Sequence, residues 1–514
     1  MKSISFYAII NWTMNKKTIK ILLIYPTIPM MLVTPLSIAV FTWILRQEGY
    51  EVDLFDTTQY GDGDLSSPQN RVKYLQARNL FSEGNLKLLK STSMDLDFKE
   101  KIEKFQPNLI IYSFTEDSLR RALQLLHTSN PFGIPTVVGG VLATADPEWL
   151  LSFPEINMLA VGEGEETVKE IANRLANNQD IIDVPNLWIK LPDRSIKKNP
   201  IRPYVNLDDY STDFSLFDEE RFVRPMGGKL HSALPIETYR GCPHGCTYCN
   251  SPMHNLFAKN LNRVYLRRRT IANIRKELKH LVDDYRVNLF YIVDDSFLAR
   301  PRCEIIDFIE MYKEFKVPFW FNTRPEHCTL DVLKRLKEVG AFRISFGIES
   351  GNENFRRQYL NRQVSSPKLL EIFSKIIDES GIPYSINCMI GFPFETRELV
   401  FDTIHFVKQI KGYDSITVSI FTPYRGTVLR QQAIERGWLD PETLTIHTTA
   451  TPILKMPHFT PQQIMGLMRT FPLYVEFDES VWPEIKKAED TDEEGEKVFT
   501  KYSKLYQEKR WRNS

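Results

Sequence analysis

A chain of 514 residues is long enough for two to four domains, each burying a core of its own. Its 65 Lys and Arg balance 65 Asp and Glu, so the charge gives no case for a nucleic acid as partner. Six cysteines, three of them clustered, make no disulfide framework and fit a reducing compartment. The apolar run near the start is short, and Thr13-Met-Asn-Lys-Lys follows without a small-residue cleavage site. Residues 1–17 therefore read as an N-terminal extension, with Met14 a natural start. The run Met30–Leu45 contains Pro35 and is shorter than the ~18–20 apolar residues a bilayer span requires. It reads as a loop plus a buried helix. The expectation is a cytoplasmic protein with no transmembrane segment.

From Lys17 strand-like and helix-like segments alternate. Ile19–Tyr25 is an apolar run closed by Pro26 and reads as a buried strand. Pro35–Glu48 reads as a helix stopped at Gly49, where glycine takes the left-handed cap. Glu51–Asp56 is a second strand, and residues 60–98 are polar and irregular, an insertion or lid. Pro107–Ser113 gives a third strand, followed by a helix through His127. Ile134–Gly140 and Met158–Gly162 complete five, the last feeding a helix over Glu165–Asn177. Such alternation predicts a doubly wound, Rossmann-like parallel sheet over residues 18–195. Ligands of these sheets sit beyond the carboxyl ends of the strands. Ser113 and Thr115, Gly139 and Gly140, and Gly162 with Glu163 stand at those ends, and the glycines permit close backbone approach. No G-x-G-x-x-G follows the first strand, which argues against a dinucleotide.

Residues 196–230, with Pro200, Pro203 and Pro225 among Asp and Asn, read as a solvated linker. A second βα series fills residues 231–435. Its strands are Leu234–Tyr239, Asn288–Asp295, Phe319–Arg324, Phe342–Glu349, Tyr384–Gly391 and Ser415–Pro423. Six units with polar residues at the strand ends predict a partial (β/α)6 barrel of the TIM type. Arg267-Arg-Arg269 reads as a solvated helix entry, and Cys303, Cys328 and Cys388 as core packing. Residues 436–514 form a helical C-terminal region with an apolar face over 460–485 and a charge-dense tail.

Just after the first strand of this series come Cys242, Cys246 and Cys249, spaced C-x3-C-x2-C. Gly241, Pro243 and Gly245 force irregular backbone, so the thiols sit on a loop that can curl three sulfurs toward one point. Iron–sulfur clusters are held by cysteine thiolates, usually four. Three leave one iron without a protein ligand, and an open position marks a reactive centre. A zinc ion held by the thiols with His244 or His254 is the alternative, although structural zinc patterns commonly pair two C-x2-C knuckles.

With Tyr248 as its aromatic residue, the loop resembles the C-x3-C-x-aromatic-C signature of the radical S-adenosylmethionine superfamily. The resemblance implies a [4Fe–4S] cluster on Cys242, Cys246 and Cys249 whose open iron chelates S-adenosylmethionine, with reductive cleavage to a 5′-deoxyadenosyl radical. Asp294 and Asp295 then stand where the superfamily's acidic motif meets the methionine ammonium. Glu349 matches an acid at the ribose or methionine moiety, and Gly391 through Glu395 loosely matches a segment at the adenine. Arg324 is open between the S-adenosylmethionine carboxylate and a pair with Glu326. The first domain resembles the cobalamin-binding domain ahead of many radical enzymes, through Ser113-x-Thr115, Gly139-Gly140 and Gly162-Glu163-Gly164-Glu165. It lacks D-x-H-x-x-G, so cobalamin would bind base-off without a protein histidine, or has been lost. The branch implied is the cobalamin-dependent, class B methylase group. Methylation of an unactivated carbon or phosphorus of a small molecule follows, with flavodoxin or ferredoxin as electron donor and no protein acid–base dyad. The rivals are a radical oxidoreductase or cyclase without methyl transfer and a non-enzymatic corrinoid-binding protein.

Overall fold

A computed structural model describes residues 19–30, 33–61, 67–78 and 90–511. The expected extension over 1–17 lies outside the described residues. The chain divides into two units: one takes residues to 66 and 86–221, the other 67–85 and 222 onward.

The first unit is built on a seven-stranded sheet in the order β2-β1-β3-β4-β5-β6-β7. Its strands are β1 (Lys20–Tyr25), β2 (Glu51–Asp56), β3 (Leu109–Ser113), β4 (Thr136–Gly139), β5 (Met158–Ala160), β6 (Leu187–Lys190) and β7 (Ile196–Lys198). β1–β5 pair in parallel, and β6 and β7 extend the edge antiparallel. Ile21, Leu22, Leu23 and Ile24 are all fully buried, as a central strand covered on both faces requires. The helix Leu36–Gln47 stops where expected, with Gly49 at φ 83°. Strand order reverses between β1 and β3, which opens a crevice at their carboxyl ends.

Residues 199–221 are not the solvated linker expected. Leu207 and Phe214 are buried, Arg202 pairs with Glu170, and Arg221 donates to Asp56 Oδ2 over 2.6 Å. Apolar anchors between the prolines lace this segment onto the first unit.

The second unit carries another seven-stranded sheet, in the order β16-β15-β14-β13-β12-β9-β8. β9 (Lys229–Ile236), β12 (Leu289–Ile292), β13 (Phe319–Thr323), β14 (Ala341–Glu349), β15 (Tyr384–Ile390) and β16 (Ser415–Ile420) are six parallel strands. β8 (Val223–Met226) pairs antiparallel with β9 at one edge, where its Pro225 is tolerated. The short ribbon β10 (Tyr239–Arg240) and β11 (Arg267–Arg268) stands apart from this sheet. One face of the strands is apolar: Phe290, Phe319, Phe321, Ile344, Phe346 and Ile386 are fully buried. Phe319 meets Phe308 of the helix Arg302–Tyr312 at 5.8 Å between ring centroids, which marks this face as the one covered by helices. Each such side chain contributes about 1.5–3 kcal/mol.

The other face of the strands is polar. Tyr291, Trp320, Asn322, Asn387, Thr417 and Ser419 alternate with the apolar set and stay half-buried, and Arg343, Ser345 and Ser385 join them. Hydroxyls and amides bond across strands, Asn322 to Tyr291 Oη at 2.6 Å and Trp320 Nε1 to Ser345 Oγ at 2.8 Å.

Residues 67–78, expected to be part of an irregular insertion, belong to this unit. They include the helix Ser67–Lys73, and Gln76 Oε1 caps the free edge of β16 by accepting from Val418 N at 3.0 Å. The helix Pro461–Glu476 packs on β16 and on the helix Arg397–Gln409, with Thr460 and Gln463 forming a capping box. Among the described residues no helix is long and apolar enough to cross a membrane.

Cys328 and Cys388 are buried, but Cys303 is exposed, because it falls on the outer face of its helix's first turn. Nor is Arg269 a solvated helix entry. It is buried, paired with Glu277 at 3.3 Å and bonded to the Glu237 carbonyl, because the β10–β11 ribbon turns it inward.

Candidate active site

Cys242, Cys246 and Cys249 stand on the loop between β10 and the helix Ser251–Asn260, just past the carboxyl end of β9. Gly241 enters the loop at φ 101°, and a Cβ there would meet the Tyr265 ring at 3.0 Å, so only glycine makes this turn. Neighbouring elements hold the loop by its backbone. Asn361 Nδ2 donates to Gly245 O at 2.8 Å, Asn255 Nδ2 to Cys242 O at 2.8 Å, and Leu429 N to Thr247 O at 3.1 Å. Thr247 in turn donates to Tyr359 O.

Burial pushes the Cys242 thiol up to about 12 and raises Cys249, and Cys246 is among the charges acting on both. Cys242 and Cys249 thus lie in a low-dielectric environment, where a thiol ionises when a metal takes the proton's place. Among the described residues no three His, Cys, Asp or Glu side chains converge on a single-ion site. Thiols serving separate corners of an iron–sulfur cube stand farther apart than ligands sharing one tetrahedral ion. His244 faces His327, with their Nε2 atoms 2.8 Å apart, and His254 stacks on Tyr265. Three thiols on one loop, with no fourth cysteine beside them in the sequence, fit a cluster with one open iron.

The acids divide by role. Asp294 is enclosed: it accepts from Thr238 N at 2.7 Å, Tyr239 N at 3.1 Å and Thr238 Oγ1, and it pairs with Arg300. Its oxygens are occupied, and it ties the end of β12 to the strand that leads into the cluster loop. Among the described residues Asp295 accepts from Ser251 Oγ alone, at 2.7 Å. It is open to solvent yet walled by protein, as on the side of a cleft, and burial raises its pKa, helped by Asp294 and Glu237.

Glu349 sits at φ 67° after a bulge in β14, where a non-glycine residue is strained. Arg362 holds it there at 3.1 Å and also donates to Tyr248 Oη at 3.2 Å and to Gly347 O. Tyr248, Glu349 and Arg362 therefore form one buried network behind the cysteine loop. Arg324 donates to both Glu326, at 3.2 Å, and Cys246 Sγ, so it stands beside the cluster position. Gly391, at φ 83°, gives its N–H to Glu395 Oε2 at 2.6 Å. Glu395 is fully buried, is pushed up to about 8 by that burial, and keeps Oε1 without a partner among the described residues. Arg300 and Arg362 were not singled out in the sequence; both lie in turns, where no periodicity marks a buried arginine.

In the first unit Ser113 Oγ meets Ser37 Oγ at 3.0 Å, and Gly140, at φ 117°, lies so close to the Phe114 carbonyl that a Cβ would approach it to 2.2 Å. Gly139 packs under Tyr112 O, and Gly162 N donates to Thr144 Oγ1 at 2.9 Å. Thr115 turns to Asp117, and Glu163 Oε2 accepts from Val205 N at 3.0 Å, so both tie protein to protein. Thr34, buried just beyond β1, has a hydroxyl without a partner among the described residues. Close glycines, hydroxyls and an unsatisfied donor at a switch-point crevice fit a large polar ligand held without histidine. The unit's single histidine, His127, lies at the far end of the helix Leu119–Ser129.

Residues 236–407 match the family model of the radical SAM superfamily. That stretch is a radical SAM domain. It thus begins at the end of β9 and runs through the helix after β15. An uncharacterized methyltransferase of Pyrococcus horikoshii is 27% identical over 415 residues, 79% of this chain and 86% of that protein. The cytidylyl-2-hydroxyethylphosphonate methyltransferase of Streptomyces wedmorensis is 22% identical over 452 residues, 79% of each. Among solved structures, the cobalamin-dependent S-adenosylmethionine radical enzyme OxsB matches with a TM-score of 0.65 at 16% identity, over 96% of this chain and 72% of that one. The radical S-adenosylmethionine methyltransferase TsrM of Kitasatospora setae matches with a TM-score of 0.59 at 15% identity, over 90% and 82%. The chain therefore shares its fold, across nearly its whole length, with proteins solved with cobalamin.

Proposed function

We propose that the chain is a cobalamin-dependent radical methyltransferase acting on an unactivated carbon, or phosphorus, of a small molecule. The observation that carries this reading is the cysteine triad on one loop at the mouth of a six-stranded parallel half-barrel, with Cys242 and Cys246 buried and Cys249 half-buried. It is joined in one chain to a switch-point sheet of the kind that binds a flat cofactor. When bound, the cluster and S-adenosylmethionine supply a carbon-centred radical, and cobalamin supplies a methyl carrier.

The chain's own residues bind and position. Cys242, Cys246 and Cys249 hold the cluster, and Arg324 places a positive charge beside Cys246. Asp295, the acid left facing the cleft, receives the ammonium of S-adenosylmethionine, while Asp294 buttresses the backbone that presents the cysteines. The Tyr248–Arg362–Glu349 network fixes the far side of the loop, and Glu395 holds the Gly391 turn beside it. Ser113, Gly139, Gly140 and Gly162 line the crevice for cobalamin, bound base-off in keeping with a sequence that lacks D-x-H-x-x-G. Reducing equivalents come from a flavodoxin- or ferredoxin-like donor, in keeping with a cytoplasmic enzyme.

Anaerobic reconstitution followed by iron, sulfide and cobalt quantitation tests this. About four irons and one cobalt per chain are expected. About four irons without cobalt would remove methyl transfer through cobalamin and leave radical chemistry of the cyclase or oxidoreductase kind.

A further inference from the structure

The loops at the carboxyl edge of the first sheet are stitched to one another. Thr27 N, just past β1, donates to Thr57 Oγ1 at 2.8 Å, and that hydroxyl donates back to Thr27 O at 2.9 Å. Met30 N donates to Thr58 O at 2.8 Å, and Thr57 N to Tyr25 O at 3.2 Å. The segments that follow β1 and β2 therefore behave as one body. Its inward carbonyls need donors from elsewhere, because a buried backbone oxygen is rarely left unpaired.

A single side chain reaches three of them. Arg121 Nη1 lies 3.1 Å from Thr27 O, 3.1 Å from Thr57 O and 3.0 Å from Tyr60 O. Arg121 is buried, whereas Arg120 beside it is exposed, so the guanidinium is turned inward onto these oxygens. Hydrogen bonds from a charged donor are stronger than neutral ones, and a guanidinium keeps its charge and its planar set of donors when buried.

The three carbonyls belong to the loops after β1 and β2, and Arg121 to the helix Leu119–Ser129 after β3. β1 and β3 are the strands between which the order reverses, so this grip joins the two sides of the crevice. The Ser37–Ser113 contact at 3.0 Å is a second tie across it, made by two neutral hydroxyls. We propose that Arg121 is the positioning residue of the crevice: it fixes the β1 and β2 loops against the β3 side and so sets the opening that receives cobalamin. Arg121 acts through the backbone of the loops rather than by touching the ligand. The identity of that ligand rests on the proposed function; the order of the loops rests on the hydrogen bonds alone.

The test uses the full chain, reconstituted anaerobically, with hydroxocobalamin as the probe. Binding is followed by the visible absorbance of the corrinoid, and hydrogen exchange of the loop amides is followed in the cofactor-free chain. Arg121→Met, which keeps an unbranched side chain and removes every donor, should weaken hydroxocobalamin by roughly ten- to hundred-fold, as the loss of charge-assisted bonds implies. The amides of Met30 and Tyr60, bonded within the stitched loops, should exchange faster, while iron per chain stays at the wild-type content. Arg121→Lys keeps a charge with three N–H donors and should regain part of the affinity, a rescue that a packing role alone does not give. Hydroxocobalamin bound by Arg121→Met as tightly as by the wild type would overturn the proposal, and so would Arg121→Lys binding no better than Arg121→Met. Unchanged exchange at Met30 and Tyr60 in Arg121→Met would overturn it as well. Failure of the methyltransferase reading is a separate result: a wild-type chain that takes up no hydroxocobalamin, with the exchange difference still present, would strike cobalamin from the crevice.

Discussion

Two adjacent aspartates at the end of β12 show how position decides chemistry. Asp294 has every oxygen engaged and a cationic partner in Arg300, whereas Asp295 has one hydroxyl donor and a cleft in front of it. The roles should separate on substitution. Asp294→Asn leaves Arg300 buried without its counter-charge, and breaking such pairs typically costs 3–5 kcal/mol, so its thermal midpoint should fall. Asp295→Asn should leave the midpoint near that of the wild type and weaken S-adenosylmethionine binding roughly ten- to hundred-fold. Calorimetry of both variants checks this; unchanged affinity in Asp295→Asn would remove that residue from the cleft's binding groups. The sequence alone could mark the pair but not divide it, because the division depends on Arg300 and Thr238, which fold onto one of the two.

At the scale of elements, the cysteine loop owes its shape to segments distant in the chain. The turn Tyr359–Arg362 grips it at Gly245, Thr247 and Tyr248, and Asn361 does so from the left-handed region at φ 52°. Asn361→Ala removes a hydrogen bond worth about 1 kcal/mol and places alanine where it is strained by about 1–2 kcal/mol. Faster loss of the reconstituted cluster's visible absorbance to a chelator is expected, with the wild-type rate as the contrary result. The strands of both sheets were legible because Ile21–Ile24, Phe319–Phe321 and Ile386–Ile390 carry the apolar pattern that burial demands. The helix Ser67–Lys73 was not, since no residue in it is fully buried and its anchor Gln76 bonds Val418 342 positions away. β8 hid within a proline-bearing stretch because an edge strand tolerates Pro225. The stretch 199–221 looked solvated for the same compositional reason, although Phe214 anchors it.

Across the whole molecule, the polar face of the half-barrel and the crevice of the first sheet are where this chain keeps groups that its own packing does not use. Strands of a soluble barrel normally fill their interior with apolar side chains. Here Asn322, Asn387, Thr417 and Ser419 stand in that position. The motif in the sequence located the chemistry within eight residues, while the groups that hold and tune it, Arg324, Asn361 and Arg362, come from turns. The most direct measurement is anaerobic incubation of the reduced, reconstituted chain with S-adenosylmethionine, following 5′-deoxyadenosine. The wild type should form it and Cys246→Ala should not; 5′-deoxyadenosine formed equally by both would contradict a cluster held by these three thiols.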